Sequence, residues 1–400
     1  MLAGGLRSGR ERQCKLLVPN NSSEPATPLN RQHERTLSQR VEMANKRKRT
    51  GKEAANDSQP SHKRTKADAT AANGSAKTKS SKTLDKSPFS ERLTVEERKR
   101  ELQLYELLGS EDVNDRIEAA DAIISGLLGG EGVPESVLVR HLENRLFRGL
   151  ASGRNASRLG FSLVLTEILG QLFGEKGLAG TKYTGLPFDK VLSILVEKTQ
   201  PNGGSGQEER DHYFGQLFGI ESFVRAGILF SDKTRWMSVL ELLLKLSQKK
   251  SWLKSQCGWI IVQAIPQMKK KLAEKTLQKL ADEGYAKTPE GVGIWITALD
   301  TFSDIEVPAQ PWKSPLAPTS LQTLPAALKD SGRETSSEQD GGKKPKQGSW
   351  TAQLHFVWDL ILAHFIKLGK QSESAAAEQF KQFWNRVVDG KQCCFTTRVR

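Results

Sequence analysis

The feature that most constrains the fold of this chain is a long succession of helical apolar stripes. Between Thr94 and Phe302, apolar residues recur at three- and four-residue spacing, and no stretch of clear period-two alternation interrupts them. That spacing places side chains on one face of an α-helix, whereas a half-buried strand needs strict alternation. Helices of about 12–20 residues, joined by short Gly, Pro and Ser turns, predict an all-α fold of the α-solenoid type.

The predicted helix pairs are degenerate in sequence. Tetratricopeptide and ankyrin signatures are absent, so HEAT- or armadillo-like pairs fit the pattern better, and a single globular helical domain is the alternative. The first helix is predicted to begin at a capping box, with Thr94 followed by Glu97 three residues later. Later helices are predicted at about Glu208–Leu229, Lys233–Gln248, Ser251–Ile265, Met268–Asp282 and Pro289–Phe302.

Residues 1–88 are predicted to be a disordered basic tail. They hold 19 Lys and Arg against 8 Asp and Glu, a net of +11 out of +14 for the whole chain, and they lack aromatic residues. Such a segment buries too little apolar area to offset chain entropy. Two basic clusters thirteen residues apart fit a bipartite nuclear import signal read by an import receptor, and a solubilising or phosphate-binding tail is the alternative. The clusters consist of Lys46, Arg47, Lys48 and Arg49, and of Lys63, Arg64 and Lys66.

The rest of the chain divides by composition into four segments. Residues 89–302 carry the helical array, and residues 303–349 are predicted to be a flexible linker rich in Pro and polar residues. Residues 350–389 return to the helical pattern, whereas residues 390–400 show neither a cap nor a stripe and are predicted to be irregular. Because a solenoid ordinarily ends in a polar capping repeat, the array is predicted to be cut short.

Targeting and redox features are few. No apolar run reaches the roughly 20 residues of a membrane span, and the start of the chain lacks a secretory pattern. The four cysteines, Cys14, Cys257, Cys393 and Cys394, have neither metal-site nor disulfide spacing, and Cys257 is predicted to be a buried thiol. These observations predict a soluble intracellular protein without a membrane partner.

Motifs for catalysis, metals and cofactors are weak throughout. The Gly177–Lys182 stretch lacks the end of a phosphate loop, and Gly291 and Gly293 are better explained as small residues between close helices. The six histidines lack metal-ligand spacing, and no nucleophile motif occurs. Acidic residues that could serve two-metal chemistry are Asp300 with Asp304, and Asp112, Asp115 and Glu118, but the latter sit where a helix dipole favours them. We therefore predict no catalytic residue, no metal and no cofactor.

Basic residues outside the tail give the more specific prediction, which is a binding surface. Four arginines surround the turn that follows the third helix, and a set of lysines lies on later helices. Such groups contact phosphate backbones or acidic partners, although arginines also bond helix carbonyls and lysines often only face solvent. The predicted contact residues are Arg145, Arg148, Arg154 and Arg158, with Lys249, Lys250, Lys254, Lys269, Lys270 and Lys271.

Three blocks give the sequence a family resemblance. They are RLFRGLASGRNASRLGFSLVLTEIL (145–169), YFGQLFGIESFVRAGIL (213–229) and HFVWDLILAHF (355–365). In this order they resemble the fungal DNA polymerase V (DNA polymerase phi) and Myb-binding protein 1A family, over about Leu93–Asp389. Family members continue further, so we expect the chain to be a fragment or a mis-spliced form that leaves the pattern after Asp389.

The resemblance implies a nuclear, chiefly nucleolar, armadillo-type protein. Implied partners are ribosomal DNA or chromatin, RNA as a further candidate, and nucleolar transcription and ribosome-assembly proteins. The family name also implies a DNA-directed DNA polymerase, but the Asp-Thr-Asp metal motif of such enzymes is absent from this sequence. A scaffold for ribosomal RNA transcription and ribosome biogenesis is therefore our first hypothesis. The polymerase is the alternative, and a transport-receptor-like solenoid is a third reading.

Overall fold

The fold is described by a computed structural model that covers residues 84–204, 206–329 and 354–389. All of them belong to one compact unit, Thr65–Arg400. The secondary structure of these residues consists of helices and turns and contains no strand, which confirms the all-α prediction. The tail up to residue 83, and with it the predicted import clusters, lies outside the described residues, as do residues 390–400.

Fourteen helices are numbered in chain order over the described ranges. The first seven are α1 (Val95–Leu107), α2 (Val113–Leu128), α3 (Glu135–His141, continued by a π-helical turn Leu142–Phe147 and by Arg148–Leu150), α4 (Asn155–Phe173), α5 (Leu178–Thr181), α6 (Phe188–Lys198) and α7 (Gly206–Arg225). The others are α8 (Lys233–Lys249), α9 (Ser251–Ala264), α10 (Lys270–Asp282), α11 (Pro289–Thr301), α12 (Leu324–Ala327), α13 (Val357–Gln371) and α14 (Glu373–Phe383, continued by a π-helical turn Trp384–Val388).

Side-chain caps explain where several helices begin. The Thr94 hydroxyl accepts the backbone N–H of Glu97, and the Glu97 carboxylate accepts the N–H of Thr94, so the predicted capping box is confirmed. The side chains of Asp112, Asp232 and Thr288 each accept a backbone N–H in the first turn of α2, α8 and α11, without the reciprocal bond of a capping box. Each cap satisfies a backbone donor that the first helical turn leaves unpaired.

Packing between the helices follows an alternating order. The helices α2, α4, α7, α9, α11 and α13 form a row in which each one packs on the next. The helices between them in sequence pack against this row: α3 against α4, α6 against α7, α8 against α9 and α10 against α11. The large buried side chains Trp236 and Trp295 lie in the continuous apolar core.

Glycines set the closest helix approaches. A Cβ added to Gly160 of α4 would collide with the carbonyl oxygen of Leu108, at the end of α1. A Cβ on Gly293 of α11 would lie 2.9 Å from a methyl carbon of Leu360 and 3.0 Å from the Phe356 ring. Gly293 is thus a small residue between close helices, as its sequence context indicates.

The first part of the predicted flexible linker packs against the core. Between residues 303 and 329, Trp312, Leu316, Leu324 and Leu328 are buried, and the Glu306 N–H donates to Glu274 of α10. This differs from the expectation of a flexible linker over 303–349. Its prolines prevent long helices, but the apolar residues between them still find contacts, which a composition argument does not register. Residues 330–353 lie outside the described part.

None of the helices in the described part of the chain is long and apolar enough to cross a membrane.

Candidate nucleic-acid interface

The four predicted contact arginines around the turn after α3, Arg145, Arg148, Arg154 and Arg158, are called the arginine corner here. The first of them, Arg145, pairs with a buried carboxylate. Its Nε donates to Glu101 Oε1 at 2.7 Å, and the Glu101 side chain is only 3% exposed. Arg140 and His141 stand 3.7 and 3.8 Å from the other oxygen of the same carboxylate. Since α1 carries Glu101 and α3 carries Arg140, His141 and Arg145, this cluster joins α1 to α3.

Arg154 and Arg158 also have partners within the fold. Arg154 Nη2 donates to the Gly109 carbonyl at 2.6 Å, just past the end of α1, which is the structural role that the sequence left open. Arg158 is buried and donates to Asp211 Oδ1 of α7 at 2.7 Å. Burial lowers the pKa of Arg158, and the adjacent Asp211 carboxylate opposes that shift.

Arg148 differs from the other three corner arginines. Its side chain is exposed on α3, and within the described ranges no carboxylate lies at ion-pair distance from it. The corner therefore separates into Arg148, which has no such partner among the described residues, and three arginines that bond the fold. Of those three, Arg154 still exposes 57% of its side chain.

Contacts link the arginine corner to part of the lysine set. Arg158 lies 5.1 Å from the ring of Phe214, and Phe214 lies 5.2 Å from the ring of Trp252. Arg210, which is exposed, lies 5.5 Å from both of these rings. These contacts bring the N-terminal ends of α4, α7 and α9 together.

Lysines continue the same line of contacts. Lys249, at the end of α8, lies 5.6 Å from the ring of Tyr213, and Lys250 pairs with Glu209 at 3.3 Å. Lys254, in the first turn of α9, lies 5.9 Å from the ring of Tyr285. We use the term basic edge for the five residues Arg154, Arg210, Lys249, Lys250 and Lys254.

Three cations of the basic edge, Arg210, Lys249 and Lys254, contact a ring but no carboxylate within 4 Å among the described residues. The positive ends of the helix dipoles of α4, α7 and α9 point to the same place. An edge with unpaired cations at aligned helix N-termini favours anionic groups such as phosphates.

The remaining predicted lysines lie elsewhere. Lys269, Lys270 and Lys271 are at the start of α10, so the 14 residues of α9, about 20 Å of helix, separate them from the basic edge. Lys270 pairs with Asp304 at 2.6 Å, whereas Lys269 and Lys271 are exposed. The structure thus divides the predicted lysine set between two places.

Comparison with known proteins identifies the family. The sequence profile described as DNA polymerase phi matches residues 141–397, which is more than half of the chain. The chain belongs to the DNA polymerase phi family. The match also runs beyond Asp389, so the prediction that the family pattern stops there was wrong. No solved structure matches the chain significantly.

Several curated proteins are similar to this DNA polymerase phi family member. The rDNA transcriptional regulator pol5 of Schizosaccharomyces pombe is 32% identical over 305 residues, which cover 73% of this chain and 29% of that protein. The rDNA transcriptional regulator POL5 of Saccharomyces cerevisiae is 28% identical over 331 residues, 72% of this chain and 32% of that protein. Myb-binding protein 1A of Mus musculus is 24% identical over 192 residues, covering 48% of this chain and 13% of that protein. The chain spans about a third of the length of the two fungal relatives.

The carboxylates that sequence reasoning offered for polymerase chemistry in this family member have separate partners. Asp300 Oδ1 is 2.8 Å from His364 Nδ1, and Asp304 pairs with Lys270. Asp112 accepts the backbone N–H of Asn114 at the start of α2. Within the described ranges, no three His, Cys, Asp or Glu side chains are grouped so that they could hold a metal ion.

Sequence reasoning missed Arg210 and Phe214 as site residues. Their spacing of four residues was available as a signal, because side chains at i and i+4 meet on one helix face. The approach of Trp252 from α9 was not, because it depends on how α7 and α9 pack. Cys257 is buried, as predicted, and burial raises the pKa of its thiol.

Proposed function

We propose that this chain is part of a nucleolar helical-repeat scaffold that binds ribosomal DNA, chromatin or their protein factors. It would act in ribosomal RNA transcription, transcription regulation and ribosome biogenesis. Membership of the DNA polymerase phi family and the two fungal relatives described as rDNA transcriptional regulators support this proposal. The single observation that carries it is the basic edge.

We also propose that the helices form a HEAT- or armadillo-like array. The alternating packing order supports this assignment, because stacked helix pairs bring every second helix into contact. Such an array lines up equivalent helix ends, which is how three N-termini come to share the basic edge. A row of this kind suits an extended partner such as a nucleic acid.

The cations of the basic edge suit contacts with phosphates better than hydrogen bonds to the edges of bases. Lysine ammonium groups act as flexible point charges. Among the residues that the structure describes, no carboxylate lies within 4 Å of Arg210, Lys249 or Lys254, so no ion pair there must first be displaced. Phosphate contacts release counterions, so binding should weaken steeply with salt.

The experiment is a salt titration of binding to a labelled ribosomal DNA fragment, read by fluorescence anisotropy. Neutralising two phosphate contacts with Lys249→Gln and Lys254→Gln should reduce the slope of log K against log [salt] by about 2. Lys370→Gln on α13 makes the same kind of charge change outside the edge and should leave the slope unchanged. An unchanged slope in the double variant would exclude the edge as the contact surface.

The tail supplies nuclear import in this proposal. Its candidate signal consists of Lys46–Arg49 with Lys63, Arg64 and Lys66. Replacing Lys46–Arg49 by alanines in a fluorescently tagged chain should reduce nuclear accumulation, since a bipartite signal needs both clusters. Unchanged accumulation would reject this cluster as a signal.

A DNA-directed DNA polymerase is the second candidate function, and the family's description is the observation that favours it. It requires that Asp300 and Asp304, the pair of carboxylates that the sequence offers where a helix ends, hold the metal ions. Metal-dependent primer extension by purified protein, abolished by Asp300→Ala and Asp304→Ala, would establish the enzyme. Extension that persists in both variants would point to a contaminant.

A further inference from the structure

The basic edge alternates positive charges with aromatic rings. The Arg210 guanidinium lies 5.5 Å from the Phe214 and Trp252 centroids, and Lys249 and Lys254 each lie over a tyrosine ring. Phosphate contacts alone need no rings. This arrangement therefore favours a partner that contacts both the cations and the aromatic rings.

Only some of these rings could touch a partner. Tyr213 and Tyr285 are buried, whereas Phe214 and Trp252 are half-buried: they pack against the core and keep part of their surface exposed. Trp259, also half-buried, follows Trp252 by seven residues, which is almost two turns and about 10 Å along the same face of α9. The rings of Phe214 and Trp252 are therefore partly accessible, whereas Trp259 also packs on the buried Phe356 ring, 5.3 Å away.

Nucleic-acid strands differ in whether they can use such rings. In a duplex the base faces are stacked on each other inside the helix, so they cannot stack on protein side chains, and the duplex exposes phosphates, sugars and base edges instead. An unpaired strand can place its bases on aromatic side chains while cations hold its backbone. Rings interleaved with unpaired cations are the combination that single strands require.

We propose that the basic edge binds single-stranded RNA or DNA in preference to duplex, with bases on Phe214 and Trp252 and phosphates on Arg210, Lys249 and Lys254. This inference rests on the proposed function, because it names the class of nucleic acid that the same edge takes.

The test compares fluorescently labelled RNA and DNA single strands of one sequence with the matching DNA duplex. Phe214→Leu and Trp252→Leu keep apolar packing but remove the stacking surface. They should weaken single-strand binding about fivefold or more and leave duplex binding unchanged. Phe380→Leu, which alters a half-buried ring on α14, should change neither. Whichever single strand binds more tightly, RNA or DNA, then identifies the kind of nucleic acid that the edge prefers.

A second measurement uses the unaltered chain. Its tryptophan fluorescence should be quenched more by a saturating single strand than by the duplex, because bases stack on Trp252. Equal quenching, or ring variants that weaken both ligands alike or neither, would overturn the inference. In that case the proposed function would still stand if Lys249→Gln/Lys254→Gln lost duplex binding. If the wild-type chain bound no nucleic acid at all, the single-strand preference and the proposed binding function would both fail.

Discussion

Arginines of one sequence block have different roles in this fold. Arg158 is buried against Asp211, Arg145 is bonded to the buried Glu101, and Arg148 faces solvent on α3. A buried cation needs its partner, because the penalty for removing charge from water is offset only by a close anion. Residue type alone could not separate these roles, since they depend on which helix lies opposite each guanidinium.

The Arg158–Asp211 pair should be among the most sensitive points of the fold. Arg158→Met leaves Asp211 without its cation, so we expect the free energy of unfolding to fall by about 3–5 kcal/mol. Replacing both residues, as Arg158→Met with Asp211→Leu, should recover most of that loss. Urea denaturation of purified protein measures both effects.

The matched control for this prediction is the surface pair of Arg225 and Glu221, one turn apart on α7, in which the Arg225 side chain is 57% exposed. Arg225→Met should cost less than about 1 kcal/mol, because exposed ion pairs contribute little. Similar losses in Arg158→Met and Arg225→Met would contradict the structural role given to Arg158.

His141 gives the fold a pH dependence. It is fully buried, its Nδ1 lies 2.8 Å from the Tyr105 hydroxyl, and burial followed by the charges of Arg140 and Arg145 lowers its pKa from 6.5 to about 3. The unfolded chain therefore binds a proton that the folded chain excludes between these pH values. Each unit of pH below 6.5 should lower the free energy of unfolding by up to about 1.4 kcal/mol.

The variant His141→Gln isolates this effect from other titrations. Gln keeps hydrogen-bonding groups near Tyr105 and Arg140 but does not titrate, so its stability should fall less between pH 6.5 and 4 than that of the wild type. Urea denaturation at several pH values provides the two curves. Parallel curves over this range would show that His141 is not the group responsible.

At the scale of elements, local signals in the sequence determined the helices well and their packing poorly. The predicted Lys233–Gln248 and Pro289–Phe302 are observed as Lys233–Lys249 and Pro289–Thr301. Caps and apolar spacing are properties of neighbouring residues, so they can be read directly. The separation of Lys269–Lys271 from the basic edge follows from the direction of α9. That direction cannot be predicted from neighbouring residues in the sequence.

Two glycines of α4 test the packing of one element against another. Gly160→Ala would drive a methyl group into the Leu108 carbonyl, so we expect a loss of about 1–3 kcal/mol in unfolding free energy. Gly170 has no atom within 4 Å of an added Cβ, and Gly170→Ala should stabilise the helix by about 0.5–1 kcal/mol. Thermal or urea unfolding of both variants gives the signs, and a neutral Gly160→Ala would contradict this α1–α4 contact.

At the scale of the whole molecule, family and fold class could be predicted from the sequence, but the candidate site only in part. The blocks at 145–169 and 213–229 carry the family likeness because they hold the interlocking core and turn of α3, α4 and α7. The site depends on α4, α7 and α9 presenting their N-termini together. That juxtaposition involves residues 154, 210 and 249, which are far apart in sequence and meet only in the packed array.

The most direct test of the central claim is the occupancy of ribosomal DNA in cells. Chromatin immunoprecipitation of a tagged chain should recover ribosomal DNA, and Arg210→Gln/Lys249→Gln/Lys254→Gln should reduce the recovery towards background while the protein stays nuclear. Lys370→Gln, tagged in the same way, should behave as the wild type. Full occupancy by the triple variant would contradict the claim that the basic edge holds nucleic acid.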